Sequence, residues 1–111
     1  MTSVSTHILD TARGRPAAGV PVTLDTWVQA GWQRLAGADT GADGRIAQLA
    51  TFGPPGPARC RLVFAVGGYL RAQHGTAFFP EITVVFDTEP GEHYHVPLLL
   101  TPYGYTVYRG S

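Results

Sequence analysis

The sequence has little of three things that mark common classes of protein: cysteine, lysine and charge in general. Its one cysteine, Cys60, excludes an intramolecular disulfide and a zinc–thiolate cluster. All eight basic residues are arginine, so no lysine is available to form a Schiff base. Only 14% of the residues are charged, against roughly 25% in a typical soluble domain. This low fraction suggests that partner subunits cover part of the surface.

Long apolar runs and basic stripes are also missing. No segment approaches the roughly 20 apolar residues that a membrane span needs. Residues 1–5 lack the basic start and apolar stretch of a signal peptide, which favours a cytoplasmic location. Eight basic and eight acidic residues cancel, and this argues against nucleic acid or an anionic membrane as a partner. The length of 111 residues indicates one domain over residues 1–111.

Fourteen glycines and nine prolines separate short apolar runs, a pattern typical of an all-β sandwich. Residues 43–44 predict a hairpin turn that places Arg45 at the rim of a sheet, and residues 53–57 predict a surface loop. One short helix is predicted over residues 68–75 and ends at a glycine. Cys60 is predicted to be a small buried side chain. Strands are predicted over residues 6–10, 20–27, 31–36, 59–66, 81–87, 92–96 and 103–108, with a tight turn near residue 30.

Two of the four histidines, His93 and His95, lie two residues apart on a predicted strand. Both therefore point to one face, while Tyr94 points to the other. They can be zinc ligands if His7 joins them from another strand. They can also be an acid–base pair, because imidazole titrates near pH 6.5, or polar residues that face solvent. Spacing alone leaves these interpretations open, and the metal site has the least support.

Motifs for nucleophilic catalysis and phosphate binding are absent. The chain has no Gly-x-Ser-x-Gly elbow, and its only serines are Ser3, Ser5 and Ser111. Ser111 has no adjacent carboxylate to orient it, although its hydroxyl is suited to binding a substrate. Residues 41–45 lack the lysine of a phosphate-binding loop. These absences argue against a serine hydrolase and a nucleotide-binding protein.

Six segments of the chain form a pattern that is typical of one family. The shorter segments are STHILD at residues 5–10, GRPA at 14–17, DGRI at 43–46 and FFPE at 78–81. The longest is HYHVPLLLTPYGY at residues 93–105, followed by YRGS at 108–111. The segments run from one end of the chain to the other, and the final tetrapeptide is the most specific of them. Together they resemble the 5-hydroxyisourate hydrolases, small enzymes of the transthyretin-like family.

The resemblance implies a transthyretin-like β-sandwich of two four-stranded sheets with one short helix. It also implies a homotetramer, a dimer of dimers, with active sites at the dimer–dimer interface and with no metal or cofactor. The implied reaction opens the cyclic amide of 5-hydroxyisourate, the product of urate oxidation, and gives 2-oxo-4-hydroxy-4-carboxy-5-ureidoimidazoline. The implied catalytic residues are His7, Arg45 and His95. The implied substrate-binding residues are these three together with Tyr108, Arg109, Gly110 and Ser111.

In the implied mechanism His7 and His95 share the roles of base and acid towards water. Arg45 holds the carbonyls of the substrate or the developing negative charge. Residues 106–107 are Thr-Val where relatives usually have Ser-Thr, so a role for a hydroxyl at position 107 is in doubt. The alternative function is a transthyretin-type carrier that binds a hydrophobic aromatic ligand between dimers. Transthyretin, however, lacks the YRGS ending and the catalytic histidines.

Four further residues have simpler interpretations. His93 is not among the residues that the resemblance assigns, and we expect a structural role or a subunit contact. His74 lies near the predicted helix end, where it interacts favourably with the helix dipole. Trp27 and Trp32 are expected to be aromatic residues of the core or of an interface.

Overall fold

The alternating strands pack as two β-sheets in a computed structural model that describes residues 1–111. The first sheet contains β1 (Thr2–Asp10), β2 (Arg15–Pro16), β5 (Arg45–Phe52), β8 (His93–Leu100) and β9 (Tyr105–Val107). The second contains β3 (Pro21–Val28), β4 (Gly31–Asp39), β6 (Arg59–Phe64) and β7 (Ile82–Asp87). The helix α1 (Gly67–His74) connects β6 to β7. The predicted all-β sandwich with one short helix is confirmed.

The first strand is central in its sheet. It pairs in parallel with β8 along Ser3–His93 to Asp10–Leu100. Its other edge pairs antiparallel with β5 over most of its length and with the two-residue β2 at its end. The sheet thus has five strands where four were expected, because β2 follows β5 along one edge of β1. The parallel β1–β8 pair brings the first ten residues beside the last twenty.

The second sheet has the order β4-β3-β6-β7 and is antiparallel throughout. A two-residue turn at Gln29 and Ala30 joins β3 to β4, and both residues have positive φ, 49° and 66°. Positive φ at both positions suits the right-handed twist of the hairpin, although it is uncommon for non-glycine residues. The predicted tight turn near residue 30 is confirmed.

One core of eighteen buried apolar residues fills the space between the sheets. Period-two alternation supplies it: Val4 and Ile8 from β1 face inward, as do Leu62 and Phe64 from β6. Cys60 is fully buried in this core, as predicted, and burial raises the pKa of its thiol to about 11. Removal of this apolar surface from water is the main force that holds the two sheets together.

Several strands differ from the prediction, and the largest differences are at β5 and β8. Residues 45–52 form β5, which was not predicted, and β8 continues through Pro97 instead of ending before it. The Pro97 carbonyl accepts a hydrogen bond from the Tyr108 N–H, at 3.4 Å. The N–H and C=O of one strand residue point to the same side, so the N–H that proline lacks would also point towards β9. The β8–β9 ladder begins only at Leu98. Pro97 therefore lies just beyond the end of the β8–β9 ladder, where a strand tolerates proline.

The helix is close to its predicted bounds and ends at Gly75 with φ 76°. His74 does more than face the helix dipole, because its Nε2 lies 2.7 Å from the buried Asp10 carboxylate. Tyr69 donates to the same carboxylate at 2.8 Å. Burial raises the pKa of Asp10, but the hydrogen bonds from His74, Tyr69 and the Arg13 N–H outweigh it and leave the pKa lowered. These contacts fasten the helix to the end of β1.

The two tryptophans, predicted to lie in the core or in an interface, are on the outer face of the second sheet and therefore not in the core. Trp27 is 45% exposed, and its ring meets Trp32 edge to face. The Arg61 guanidinium covers Trp32, 4.6 Å from the ring centroid, and its Nη2 pairs with buried Asp25 at 2.6 Å. Their place in an interface stays a prediction. The fold contains no helix of the length and apolarity needed to cross a membrane.

Candidate active site

The register of β1 with its neighbours collects polar side chains on the outer face of the first sheet. His7 lies opposite Arg45 of β5, and Ser5 lies opposite His95 of β8. Between Val4 and Thr6 the β1–β5 pairing shifts, with β5 advancing from residue 50 to residue 46. This bulge contributes two extra residues of β5, and bulges of this kind re-aim side chains next to functional sites. Arg45 is thereby brought level with His7.

Hydrogen bonds from both its side chain and its backbone fix the position of His95. Its Nδ1 lies 2.8 Å from Ser5 Oγ, and its Nε2 has no hydrogen-bond partner within the chain. Its carbonyl accepts the Gly110 N–H at 2.8 Å, which brings the tail against the ring. A Cβ on residue 110 would lie only 2.7 Å from His95 Cδ2, so the close approach requires glycine there. The ring is held on two sides, and Nε2 is left free.

The charge on His95 is disfavoured by its surroundings. Burial is the largest cause that lowers its pKa, followed by the positive Arg45 and by His7 and His93. Taking an imidazolium out of water is costly, and nearby like charge adds to the cost. His95 is consequently neutral at neutral pH and has a lone pair available for a proton.

A cavity of about 300 Å³ opens in front of His95. It is predominantly polar, and its lining consists of Ser5, Thr6, Arg45, Ala47, His93, His95 and Ser111. Three of the predicted site residues, Arg45, His95 and Ser111, thus meet around one space although they are far apart in sequence. Larger hollows occur near the 53–57 loop, but none of their lining residues is a histidine.

His7 is not among the residues that line this cavity, but it lies opposite the lining residue Arg45 in the β1–β5 pairing. Its Nε2 is 3.1 Å from the backbone carbonyl of Asp43. A carbonyl only accepts hydrogen bonds, so Nε2 carries the proton and Nδ1 of the neutral ring is an acceptor. Asp43 Oδ1 in turn accepts the Arg45 N–H at 3.0 Å, so the 43–45 turn orients both His7 and Arg45.

The four residues at the end of the chain, 108–111, lie in two different places. Gly110 and Ser111 are at the cavity, whereas the side chains of Tyr108 and Arg109 contact other residues in the single chain. The Arg109 guanidinium lies 4.4 Å above the Tyr94 ring centroid and 3.2 Å from Glu92. Tyr108 is 52% exposed and borders a separate hollow with Arg109 between β7 and β8. Substrate contacts for these two side chains stay predictions.

Position 107 does not face the cavity. Val107 is half-buried and packs against the core from β9, so a hydroxyl at this point would lie among apolar neighbours. The replacement of the usual threonine by valine therefore leaves the cavity unchanged.

Three residues near the cavity were not predicted as site residues: Ser3, Ser5 and His93. Both nitrogens of His93 are within hydrogen-bonding distance of serine hydroxyls, Ser3 at 2.6 Å and Ser5 at 2.9 Å. The alternation of Ser3, Ser5 and His7 along one face of β1 was the signal available in the sequence. No group of three or more histidine, cysteine, aspartate or glutamate side chains converges as metal ligands would.

His95 and the Arg45 guanidinium line one polar cavity on an all-β sandwich, with His7 opposite Arg45, and side chains of these types can carry out acid–base chemistry. A model described as the HIUase/Transthyretin family matches residues 4–110. The chain belongs to this family.

The relatives of the chain include 5-hydroxyisourate hydrolases and a transthyretin with bound thyroxine. The 5-hydroxyisourate hydrolase of Salmonella dublin is 45% identical over 109 residues, covering 97% of this chain and 80% of that protein. The structure of the Klebsiella pneumoniae 5-hydroxyisourate hydrolase superposes with a TM-score of 0.83 at 36% identity, covering 98% of this chain and 99% of that one. Sea bream transthyretin in complex with thyroxine gives 0.89 at 33% identity, covering 97% and 94%. Because the hydrolases and the thyroxine-bound transthyretin share one fold, only the site residues can indicate the function of this chain.

Proposed function

We propose that the chain is a 5-hydroxyisourate hydrolase of urate breakdown, which opens the cyclic amide to 2-oxo-4-hydroxy-4-carboxy-5-ureidoimidazoline. The observation that carries this proposal is the cavity in which Arg45, His95 and Ser111 meet beside His7. The 45% identity to the Salmonella enzyme over 97% of the chain supports it. A carrier of aromatic ligands has no need for two imidazoles whose nitrogens are held in place by hydrogen bonds.

Hydrolysis of an amide begins with an activated water. In our proposal His95 Nε2 removes a proton from this water as it attacks the carbonyl. The lowered pKa of His95 keeps that nitrogen unprotonated at neutral pH, as a general base requires. His7 Nδ1 accepts the second hydrogen of the water, because the Asp43 carbonyl holds the opposite nitrogen as the donor. A correctly placed acid–base group contributes about 10² to 10⁴ in rate.

Attack on the carbonyl places negative charge on its oxygen. Arg45 lines the same cavity as His95 and remains positively charged at any working pH. Its guanidinium stabilises the oxyanion as it forms, an effect worth about 3 to 4 kcal/mol for a single donor in comparable sites. The proton on His95 then passes to the departing nitrogen, so that the C–N bond breaks without expelling an anion. Ser111 binds the substrate through its hydroxyl.

The decisive experiment generates 5-hydroxyisourate in situ with urate oxidase and follows its ultraviolet absorbance after the protein is added. We expect decay faster than the spontaneous rate, and a loss of at least 100-fold in kcat/KM for His95→Ala or Arg45→Ala. Arg34→Ala, on the other sheet, is the matched control and should retain full activity. Decay at the spontaneous rate would reject the hydrolase, and binding of an aromatic ligand such as thyroxine by calorimetry would then support the carrier.

We also propose that the chain assembles as a homotetramer, a dimer of dimers, with the cavities between dimers. An exposed aromatic cluster supports a subunit contact: Phe78 and Tyr103 are 66% and 70% exposed and face each other with ring centroids 6.5 Å apart. The low proportion of charged residues, 14%, fits a surface that is partly covered. Sedimentation equilibrium should give about four times the 11.9 kDa chain mass, and Phe78→Glu should lower it. A monomeric wild-type chain would exclude this assembly.

A further inference from the structure

A continuous line of side chains runs across β1 and β8, and three of its members, Ser5, His93 and His95, line the cavity. Ser3 Oγ lies 2.6 Å from His93 Nδ1, and His93 Nε2 lies 2.9 Å from Ser5 Oγ. Ser5 Oγ in turn lies 2.8 Å from His95 Nδ1. All three distances are those of hydrogen bonds, and the parallel register places each serine opposite its histidine. His93 is therefore bonded at both ring nitrogens, and Ser5 joins the two imidazoles.

Ser5 couples the protonation of the two rings. A hydroxyl has one proton, so when Ser5 donates to one histidine it accepts from the other. If His95 Nδ1–H donates to Ser5, then Ser5 donates to His93 Nε2, and His95 Nε2 is a lone pair. If the hydrogen bonds run in the opposite direction, Ser5 donates to His95 Nδ1, and His95 Nε2 carries the proton. The direction of one hydroxyl thus corresponds to the base form or the acid form of His95.

Exposure to solvent is greatest at His93. Ser5 is 6% exposed, His95 and Ser3 are half-buried, and His93 is exposed. His93 and His95 point to the same face of β8, two residues apart. His93 is the one that lies further from the His7–Arg45 pair. The line leads away from the positively charged Arg45.

We propose that Ser5 and His93 form a proton relay that allows His95 to serve first as base and then as acid within one turnover. They are positioning residues, since they act on the substrate only through His95, and the proposal rests on the hydrolase function. After His95 Nε2 takes a proton from water, Nδ1–H passes its proton to Ser5 Oγ. Ser5 passes its own proton to His93 Nε2, and the positive charge then resides on His93.

The return step completes the cycle. His95, now neutral with its proton on Nε2, gives that proton to the departing nitrogen as the C–N bond breaks. His93 Nε2 returns its proton to Ser5, and Ser5 returns one to His95 Nδ1. Each group ends with the protons it had at the start, and the net change is the transfer of one proton from water to the leaving nitrogen. No proton has to enter from solvent between the two chemical steps.

The electrostatics of the site favour this transfer. A charge left on His95 would be half-buried and would face Arg45 from β5 and His7 from β1, and the pKa of His95 is lowered for those reasons. On His93 the charge is exposed to water. The other charged groups near His93, Arg109 and Glu92, form an ion pair with each other at 3.2 Å and largely cancel. Storage of the proton on His93 lowers the cost of the charged intermediate.

Two variants test the relay, each checked for a wild-type melting temperature. Ser5→Ala removes the link, and His93→Gln keeps a hydrogen-bonding side chain that cannot accept the proton. We expect each to lower kcat by about 10- to 100-fold, since one proton-transfer role is impaired, with KM changed by less than about twofold because the cavity contacts of Arg45 and Ser111 remain. Ser5→Thr retains the hydroxyl and should restore most of kcat. Thr51→Ala, which removes an exposed hydroxyl from β5, is the control and should have no effect.

A second readout separates a relay from a merely structural network. In mixtures of light and heavy water, kcat of the wild type should fall along a curve, because several protons move together, and that of His93→Gln should fall along a straight line. A linear plot for the wild type, or wild-type kcat in both variants, overturns the relay while the hydrolase function stands. A wild-type chain without hydrolase activity overturns the function and the relay with it.

Discussion

Gly110→Ala is the smallest change that should disable the site. The added Cβ would lie 2.7 Å from His95 Cδ2 and 3.3 Å from Pro97 Cγ. Carbon atoms in contact are about 3.5 Å or more apart, so either the ring or the tail must move by roughly 0.8 Å. A displacement of about 1 Å in a catalytic group can cost about 100-fold in rate. We expect kcat/KM to fall by about 10- to 100-fold.

Steady-state kinetics and ring NMR distinguish the two ways of relieving the clash. If the ring moves, it loses its alignment with Ser5, kcat falls, and the ¹⁵N shifts of the His95 ring change. If the tail moves, Ser111 leaves the cavity and KM rises. Gly53→Ala is the matched control, because nothing lies within 4 Å of the Cβ it adds, and it should be fully active. Wild-type kcat and KM for a folded Gly110→Ala variant would refute the packing of the tail against His95.

Three other predictions follow from the charges and from the core. Arg45→Gln should raise the pKa of His95 towards its usual value, measured by NMR titration, whereas Arg34→Gln should not; an unchanged titration would contradict the assigned cause. Asp10→Asn should lower stability at pH 7 by about 2 to 4 kcal/mol, because a buried carboxylate loses charge-assisted hydrogen bonds. The pKa of Asp10 is lowered in the fold. The stability difference between wild type and Asp10→Asn should therefore be complete above the ordinary carboxyl pKa and disappear as the pH falls through the pKa of Asp10 in the folded protein. Denaturant unfolding at several pH values will check this. Cys60, with a pKa of about 11, should have a thiolate fraction of about one in a thousand at pH 8 and should react with a thiol reagent only after unfolding.

Local patterns were sufficient to predict the sandwich. Period-two alternation predicted most strands and placed His93 and His95 on one face, where both are found. Gly75 likewise predicted where α1 ends. Alternation failed for β5, where a bulge adds two residues and interrupts the period. The sequence also predicted that β8 ends before Pro97. A proline interrupts a strand only where its N–H is needed for a hydrogen bond of the sheet.

The arrangement of the site depends on contacts between distant parts of the chain, which a local pattern does not contain. Residues His7, Arg45, His95 and Ser111 were predicted through resemblance to a family and not through spacing. The hydroxyl of Ser5 had no predicted role, because its importance arises from the parallel pairing with a strand 90 residues later. Single serines on strands are common, so alternation alone gave no reason to select this one.

The parallel pairing of β1 with β8 has a consequence for the newborn chain on the ribosome. At about 5 to 20 residues per second, His95 is added roughly 5 to 18 seconds after Ser5. During that interval β1 can pair with β5 but has one open edge, and open edges invite pairing with other chains. The carboxyl-terminal segment closes this edge and completes the cavity in the same event. A chain interrupted during translation therefore has an exposed strand and an incomplete cavity, so the proposed activity is expected only in molecules whose β1 edge is already protected.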